Sequence, residues 1–124
     1  MIPALGVFER ERVDSLYVTT GPVNSGVPQP ILQFVTKHRV PSITDNSLSL
    51  VRDGTVLMAY SANIKDLIVR TAYFVDRVLR GAKPGSLPIE LPSRFELVIN
   101  LKNARAVGLT IPPTLLGRAD QVIE

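Results

Sequence analysis

The fold is decided by the stretch TVLMAYSANIKDLIVRTAYFVDRVLRG, residues 55–81, in which a strand pattern passes directly into a helix pattern. Its first six residues are rich in the β-branched and aromatic side chains that favour strands. Apolar residues then recur at i, i+3 and i+4 spacing over about five turns: Ile64, Leu67, Ile68, Thr71, Ala72, Val75, Val78 and Leu79. Asn63 is placed to cap the first turn, with Asp66 three residues later, and Gly81 is placed to end the helix. Asp66–Arg70 and Asp76–Arg80 have the i,i+4 spacing of ion pairs on a helix. The sequence predicts a strand followed by a long amphipathic helix.

The alternation of strands and helices continues on both sides of this stretch. Upstream, the pattern predicts a helix in 2–12, a strand in 15–20, a helix in about 28–39 and an extended piece in 40–44. Downstream, it predicts a linker with three prolines in 81–93 and a strand in 95–101. A short helix that Asn100 caps and Gly108 ends is predicted next, followed by a last helix from Pro112 to Ile123. This order is typical of an α/β layer with mostly parallel strands.

Length and composition limit what the chain can be. It has 124 residues, 45% of them hydrophobic, and a formal net charge of +3, which excludes a disordered chain and fits one small domain. It has no Cys and one His, so we expect no metal site and no cofactor. The first residues lack the basic start and apolar stretch of a signal peptide. If Met1 is the natural start, that absence favours the cytoplasm.

No set of residues in the sequence predicts catalysis or nucleic-acid binding. There is no glycine-rich phosphate loop between a strand and a helix, and helix-end or turn roles account for His38, Asp53 and Asp66. The basic residues of 63–83 are isolated from one another and are not interleaved with aromatic ones, which is typical of a helix surface. We therefore expect neither an enzyme nor a nucleic-acid-binding protein.

Three loops at the expected carboxyl edge of the sheet carry the candidate site. Ligands of open α/β sheets bind beyond the carboxyl ends of the strands, and the loops there span 20–25, 44–47 and 60–63. Their hydroxyl, amide and carboxyl groups suit a small polar or zwitterionic solute, and the candidate residues are Thr20, Asn24, Asp45, Ser61 and Asn63. A solute carboxylate could use the free amides of the helix that starts near Asn63. The alternative is that all five are ordinary turn and cap residues.

Several stretches together resemble a known family. They are YFVDRVLRGAKP (73–84), LPIE (87–90), FELVINLK (95–102) and AVGLTIPP (106–113), with RVDSLYV (12–18) and HRVPSI (38–43) upstream. In this order and spacing they resemble the C-terminal portion of ABC transporter substrate-binding proteins, in the group that includes tryptophan and tyrosine receptors. The resemblance covers nearly the whole chain.

The resemblance implies a fold, a function and a partner. Such receptors have two α/β lobes with the ligand in the cleft between them, so this chain would be a partial periplasmic-binding-protein (Rossmann-like) lobe. The implied organisation is a partial lobe in 1–80, a crossover linker in 81–93, and a strand-helix-helix segment in 94–124 that packs on the other lobe. The implied function is extracytoplasmic binding of a solute such as an amino acid for an ABC permease. Ser61 stands where the family often has Gly, so the ligand preference does not carry over.

Half of a two-lobed receptor exposes strand edges and apolar helix faces that favour association. We therefore expect a homodimer, with or without exchange of the C-terminal segment between the two copies. This expectation leaves a second function open. The chain could be a small dimeric cytoplasmic α/β module that senses a metabolite or binds a partner and has no role in transport.

Overall fold

The computed structural model describes residues 3–19, 29–45 and 51–124. Among these residues the helices are α1 (Pro3–Glu11), α2 (Gln29–His38), α3 (Ile64–Leu79), α4 (Leu101–Val107) and α5 (Pro113–Leu116). The strands are β1 (Leu16–Val18), β2 (Ser42–Thr44), β3 (Met58–Ala62), β4 (Phe95–Asn100) and β5 (Gln121–Ile123). The predicted α/β class is confirmed.

The strands form one sheet in the order β1-β2-β3-β4-β5, and most neighbours are parallel. Tyr17 pairs with Ile43 and Thr44 pairs with Ala59 in parallel register, and β4 runs parallel to β5. Between β3 and β4 the Asn100 N–H donates to the Leu57 carbonyl, and the Asn63 N–H donates to the Arg94 carbonyl. Residue numbers rise along one strand as they fall along the other, so this pair is antiparallel.

The helix boundaries follow the capping residues that the sequence predicts. The Asn63 side chain accepts from the Asp66 N–H at 2.9 Å at the start of α3, and the Asn100 side chain accepts from the Asn103 N–H at 2.9 Å at the start of α4. Each amide oxygen satisfies one of the backbone donors left unpaired in a first turn. Gly81 and Gly108 follow the last turns with φ of +94° and +79°, in the left-handed region that glycine adopts without strain.

The C-terminal end differs from the sequence prediction. The helix predicted to reach Ile123 ends at Leu116, and β5 follows it. Asp120, which directly precedes β5, is bonded to β4. Its backbone N–H donates to the Leu97 carbonyl, and its carboxylate accepts from the Leu97 N–H at 2.8 Å. Helical spacing of apolar residues was therefore misleading here, because pairing with β4 satisfies the backbone of 121–123.

Contacts divide the chain into two compact units. Unit 1 comprises 1–61 and 96–124, and unit 2 comprises 62–95. The clusters of buried apolar residues found in the described chain all lie in unit 1 and include Val56, Val98 and Ile99. The predicted division into 1–80, 81–93 and 94–124 stays a prediction. That 94–124 packs on a second lobe stays a prediction.

Candidate functional site

The parallel strands β1, β2 and β3 of unit 1 bring their carboxyl ends to one edge of the sheet. Val18 lies level with Thr44, and Thr44 lies level with Ala59. Asp45 follows Thr44 directly, and Ser61 lies two residues beyond Ala59 along β3. The register therefore places Asp45 and Ser61 at the same edge, as the sequence predicts for neighbouring parallel strands.

The other candidate residues are placed differently. Ser61 is almost completely buried at the end of unit 1, and Asp45 is half-buried. Thr20 and Asn24 lie outside the described residues. Asn63 belongs to unit 2. The described part of the chain thus brings two of the five candidates, Asp45 and Ser61, to one edge.

Two buried hydroxyl groups on β2 add polar atoms near that edge. Ser42 is 3% exposed and Thr44 is fully buried, and the alternation of a strand places both on one face of the sheet. Within 3–19, 29–45 and 51–124, neither Ser42 Oγ nor Thr44 Oγ1 has a hydrogen-bond partner. Buried hydroxyls normally have one. Thr44 Oγ1 is therefore a buried hydroxyl without a partner in the described chain, at the carboxyl end of β2.

Asn63 has a structural role at the start of α3. Its side chain caps the helix, and its own N–H donates to the Arg94 carbonyl at 2.9 Å, so Asp66 does not complete a reciprocal capping box with that N–H. The carboxylate of Asp66 lies in the first turn, where it complements the positive end of the helix dipole. A negative group is thus already present at this terminus, which makes it less favourable for a solute carboxylate.

Unit 2 contains a groove of about 870 Å³ between α3 and the segment 90–94. A volume of this size is in the range of small-molecule pockets. Leu67, Phe74 and Leu91 contribute apolar surface to its lining, and Asp66, Arg70 and Arg94 contribute charges. The groove thus combines apolar walls with cationic and anionic side chains.

The charged groups of the groove are already paired with one another. Arg70 binds both carboxylate oxygens of Glu90, and its guanidinium lies 4.0 Å from the centre of the Tyr73 ring. Arg94 lies 3.9 Å from Asp66, so the predicted helix pair of Asp66 with Arg70 is replaced by pairs to the linker. The hydrogen bonds from Arg70 lower the pKa of the Glu90 carboxyl, and those to Glu90 raise the pKa of Arg70. The predicted Asp76–Arg80 pair forms at 2.9 Å.

Sequence reasoning missed this groove. Arg70 and Glu90 are separated by 20 positions, and no helical or strand periodicity connects residues so far apart. The apolar-acidic-apolar order of Ile89, Glu90 and Leu91 was the available signal, since alternation in an extended segment sends the central side chain to the opposite face.

The described part of the chain contains neither a cluster of metal-ligating side chains nor a helix suited to span a membrane. No group of three or more His, Asp or Glu side chains there could hold a metal ion. No helix among those residues combines the length and hydrophobicity that a bilayer span requires.

Comparisons with known proteins identify the family. The model of the family "ABC transporter substrate binding protein" matches residues 8–123. No curated protein matches the sequence significantly.

Solved structures of three other proteins are similar to the chain. A conserved domain protein from Vibrio cholerae is 25% identical, with a TM-score of 0.84, and the match covers 96% of this chain and 39% of that one. An ABC domain from Streptococcus pneumoniae in complex with L-Trp is 28% identical, with a TM-score of 0.82 and the same coverages. A ligand-free, open substrate-binding protein with adhesive properties from Clostridium difficile shares the fold, at 18% identity and a TM-score of 0.65 over 97% of this chain and 39% of that chain.

The chain therefore spans about two fifths of the length of the solved structures that it matches. Its mostly parallel sheet and the family match over 8–123 agree with each other. The chain belongs to the ABC transporter substrate-binding protein family.

Proposed function

We propose that the chain is part of the solute-binding component of an ABC-type uptake transporter and takes a small zwitterionic solute such as an amino acid. The similarity to the L-Trp complex, at 28% identity over 96% of this chain, is the observation that carries the proposal. The whole protein would act outside the cytoplasm and deliver its solute to an ABC permease.

The residues at the carboxyl edge of unit 1 would bind the solute. Asp45 would accept charge-assisted hydrogen bonds from an ammonium group, and Ser61 would add a hydroxyl group that donates or accepts. Thr20 and Asn24, which follow β1 in sequence, remain proposed members of the site. Asn63 is proposed to act through its cap, because that contact fixes where α3 begins.

A ligand-binding screen tests the proposal. The chain is titrated with L-Trp, L-Tyr and a panel of other amino acids, and thermal unfolding and calorimetry are recorded. Binding to the folded state raises the free energy of unfolding by about 2.7 kcal/mol at a ligand concentration of 100 Kd. We expect at least one amino acid to produce such a shift.

A matched pair of variants locates the binding site. Asp45→Asn removes a carboxylate that follows β2, and Asp53→Asn removes an exposed carboxylate that precedes β3. Because β2 and β3 are parallel, these two positions lie at opposite edges of the sheet. Asp45→Asn should weaken binding at least about tenfold and Asp53→Asn should leave it unchanged. A flat response of the folded chain to every amino acid would overturn the proposal.

A further inference from the structure

The carboxyl edge of unit 1 carries a row of three side chains from neighbouring parallel strands. Three buried residues of β1, β2 and β3 lie level with one another: Val18, Thr44 and Ala59. The residues that follow them along the chain are Thr19, Asp45 and Tyr60. Successive side chains of a strand point to opposite faces, so this second row lies on the face opposite the buried one. It places a hydroxyl, a carboxylate and a phenol ring side by side.

Tyr60 lies between a carboxylate and an apolar side chain in this row. On one side it neighbours Asp45, and the backbones of adjacent strands are about 5 Å apart. On the other side it lies level with Leu97 of β4, since both residues are midway between the two backbone hydrogen bonds that join β3 to β4. Tyr60 is 54% exposed, Asp45 is half-buried, and Leu97 packs against the cluster around Ile99. The ring is thus held in a strand next to a charged group, with much of its surface open to a ligand.

Further charged groups lie at the same end of the sheet. Glu96 is the second residue of β4, which begins at this end because it is antiparallel to β3, and Asp120 directly precedes β5. Arg118 lies two residues before Asp120 and contributes a guanidinium. With Asp45, the three carboxylates and one guanidinium of these four residues sum to a formal charge of −2. Their net charge favours a cation over an anion.

An exposed aromatic ring beside a carboxylate is suited to recognise an organic cation. A cation is attracted to the face of a ring within about 6 Å of its centre, and a carboxylate adds charge and accepts hydrogen bonds from N–H groups. We propose that Tyr60 and Asp45 form a subsite for an ammonium group, primary or N-methylated, with Thr19 at its border. That the ammonium group belongs to a transported solute rests on the proposed function.

The subsite would select for charge on the nitrogen and not for the number of its N–H groups. The ring face attracts the charge without requiring a hydrogen-bond donor, so methylation of the ammonium group is tolerated. Acylation removes the charge, and with it the attraction of both the Tyr60 ring and the Asp45 carboxylate. Tyr60 is therefore the residue that determines this specificity.

Nuclear magnetic resonance of the 124-residue chain tests the subsite with a probe that is not an amino acid. Tetramethylammonium chloride supplies a cation without N–H donors, and tert-butanol is an uncharged molecule of similar size. We expect tetramethylammonium to shift the ring resonances of Tyr60 and the amide resonance of Asp45 saturably, and tert-butanol at the same concentration to leave them unchanged. Equal shifts with both probes, or no saturable shift with tetramethylammonium, would overturn the proposal.

Three substitutions separate the role of the ring from that of the fold. Tyr60→Leu removes the ring and Tyr60→Phe keeps it. Tyr17→Leu is the matched control, because Tyr17 is 60% exposed on the same face but lies level with Ile43 and not with Asp45. At the Asp45 amide, Tyr60→Leu should lower the affinity for tetramethylammonium at least about fivefold, and the other two variants should change it less than about twofold.

Circular dichroism confirms that each variant is folded. A folded Tyr60→Leu variant with unchanged affinity would contradict the proposed role of the ring. If this variant does not fold, the comparison of the two probes on the unsubstituted chain still decides the proposal.

Amino-acid ligands distinguish the subsite from the proposed function. The N-methylated form of an amino acid that binds should still bind, whereas its N-acetylated form should bind at least about tenfold more weakly; equal binding of the acetylated form would contradict the subsite. A chain that responds to tetramethylammonium and binds no amino acid retains the subsite and contradicts the proposed function. A chain that binds amino acids equally well with and without Tyr60→Leu retains the proposed function and contradicts the subsite.

Discussion

Ile99 in β4 and Ile68 in α3 are chemically identical side chains in opposite environments, with exposures of 0% and 64%. Ile99 packs in unit 1 among side chains from β3, α4 and the C-terminal region, which come from distant parts of the sequence. Ile68 is in a helix of unit 2 whose neighbouring segment is held by an ion pair instead of a core. The contrast shows that amphipathic patterning alone does not bury a side chain, since burial requires a second layer.

Truncation of the two isoleucines should give the largest difference in the free energy of unfolding. Ile99→Ala should lower the free energy of unfolding by about 2–5 kcal/mol because it removes buried methyl groups and leaves a cavity. Ile68→Ala should change it by no more than about 0.5 kcal/mol in the 124-residue chain, because the side chain is already in water. Urea unfolding followed by circular dichroism measures both. Equal losses would show that α3 is covered in solution.

The two capping asparagines give the next comparison. Asn100 is buried, and its amide also donates to the Val51 carbonyl at 2.6 Å, so Asn100→Ala loses a cap and leaves a buried carbonyl unpaired. We expect a loss of about 2–3 kcal/mol. Asn63→Ala loses the cap of a helix in unit 2 and should cost about 1 kcal/mol or less. Chemical unfolding of both variants gives the difference, and a larger effect at Asn63 would contradict it.

Substitution of the glycines that follow α3 and α4 should give a smaller difference in stability. Gly108→Ala introduces a Cβ at φ +79° after α4, and we expect a loss of about 1 kcal/mol in global stability. Gly81→Ala introduces the same strain after α3 and should increase only the local opening of the last turn of that helix. Global unfolding and site-resolved hydrogen exchange separate the two effects. A global loss for Gly81→Ala would indicate that α3 unfolds together with unit 1.

The smallest effect is the pH dependence of the linker. The pKa of Glu90 is lowered by its hydrogen bonds from Arg70, so the folded carboxyl binds protons less readily than the unfolded one. The contribution of the pair is therefore fully present above the ordinary carboxyl range and is lost as the pH falls through the lowered pKa. Side-chain NMR of Glu90 and Arg70 from neutral pH to about pH 2 should show the pair opening at the acidic end. Glu90→Gln should remove the transition, and a transition that persists in this variant would assign it to another group.

Local features of the fold were predictable because they depend on neighbouring residues. Asn63 and Asn100 cap helices, and Gly81 and Gly108 follow their ends, since capping and left-handed backbone conformations are decided within one turn. The segment ending at Ile123 was not predictable in this way. Its apolar residues fit a helix, and only the position of β4 beside it makes it a strand.

The candidate site was predictable in part. Asp45 and Ser61 lie at the same edge because neighbouring parallel strands bring their carboxyl ends together. The cap role of Asn63 follows from its position before α3. The pairing of Arg70 with Glu90 depends on the path of the linker, which no local pattern specifies.

The α/β class, the boundaries of α3 and α4 and the family follow from the amino-acid sequence, because they depend on periodicity, capping residues and the order of characteristic stretches. The place of 96–124 in the core of unit 1 and the exposure of the apolar residues of α3 depend on tertiary packing. The physical reason is that a hydrophobic stripe specifies that a face is to be buried. Which surface buries it depends on the chain segments that surround it in space.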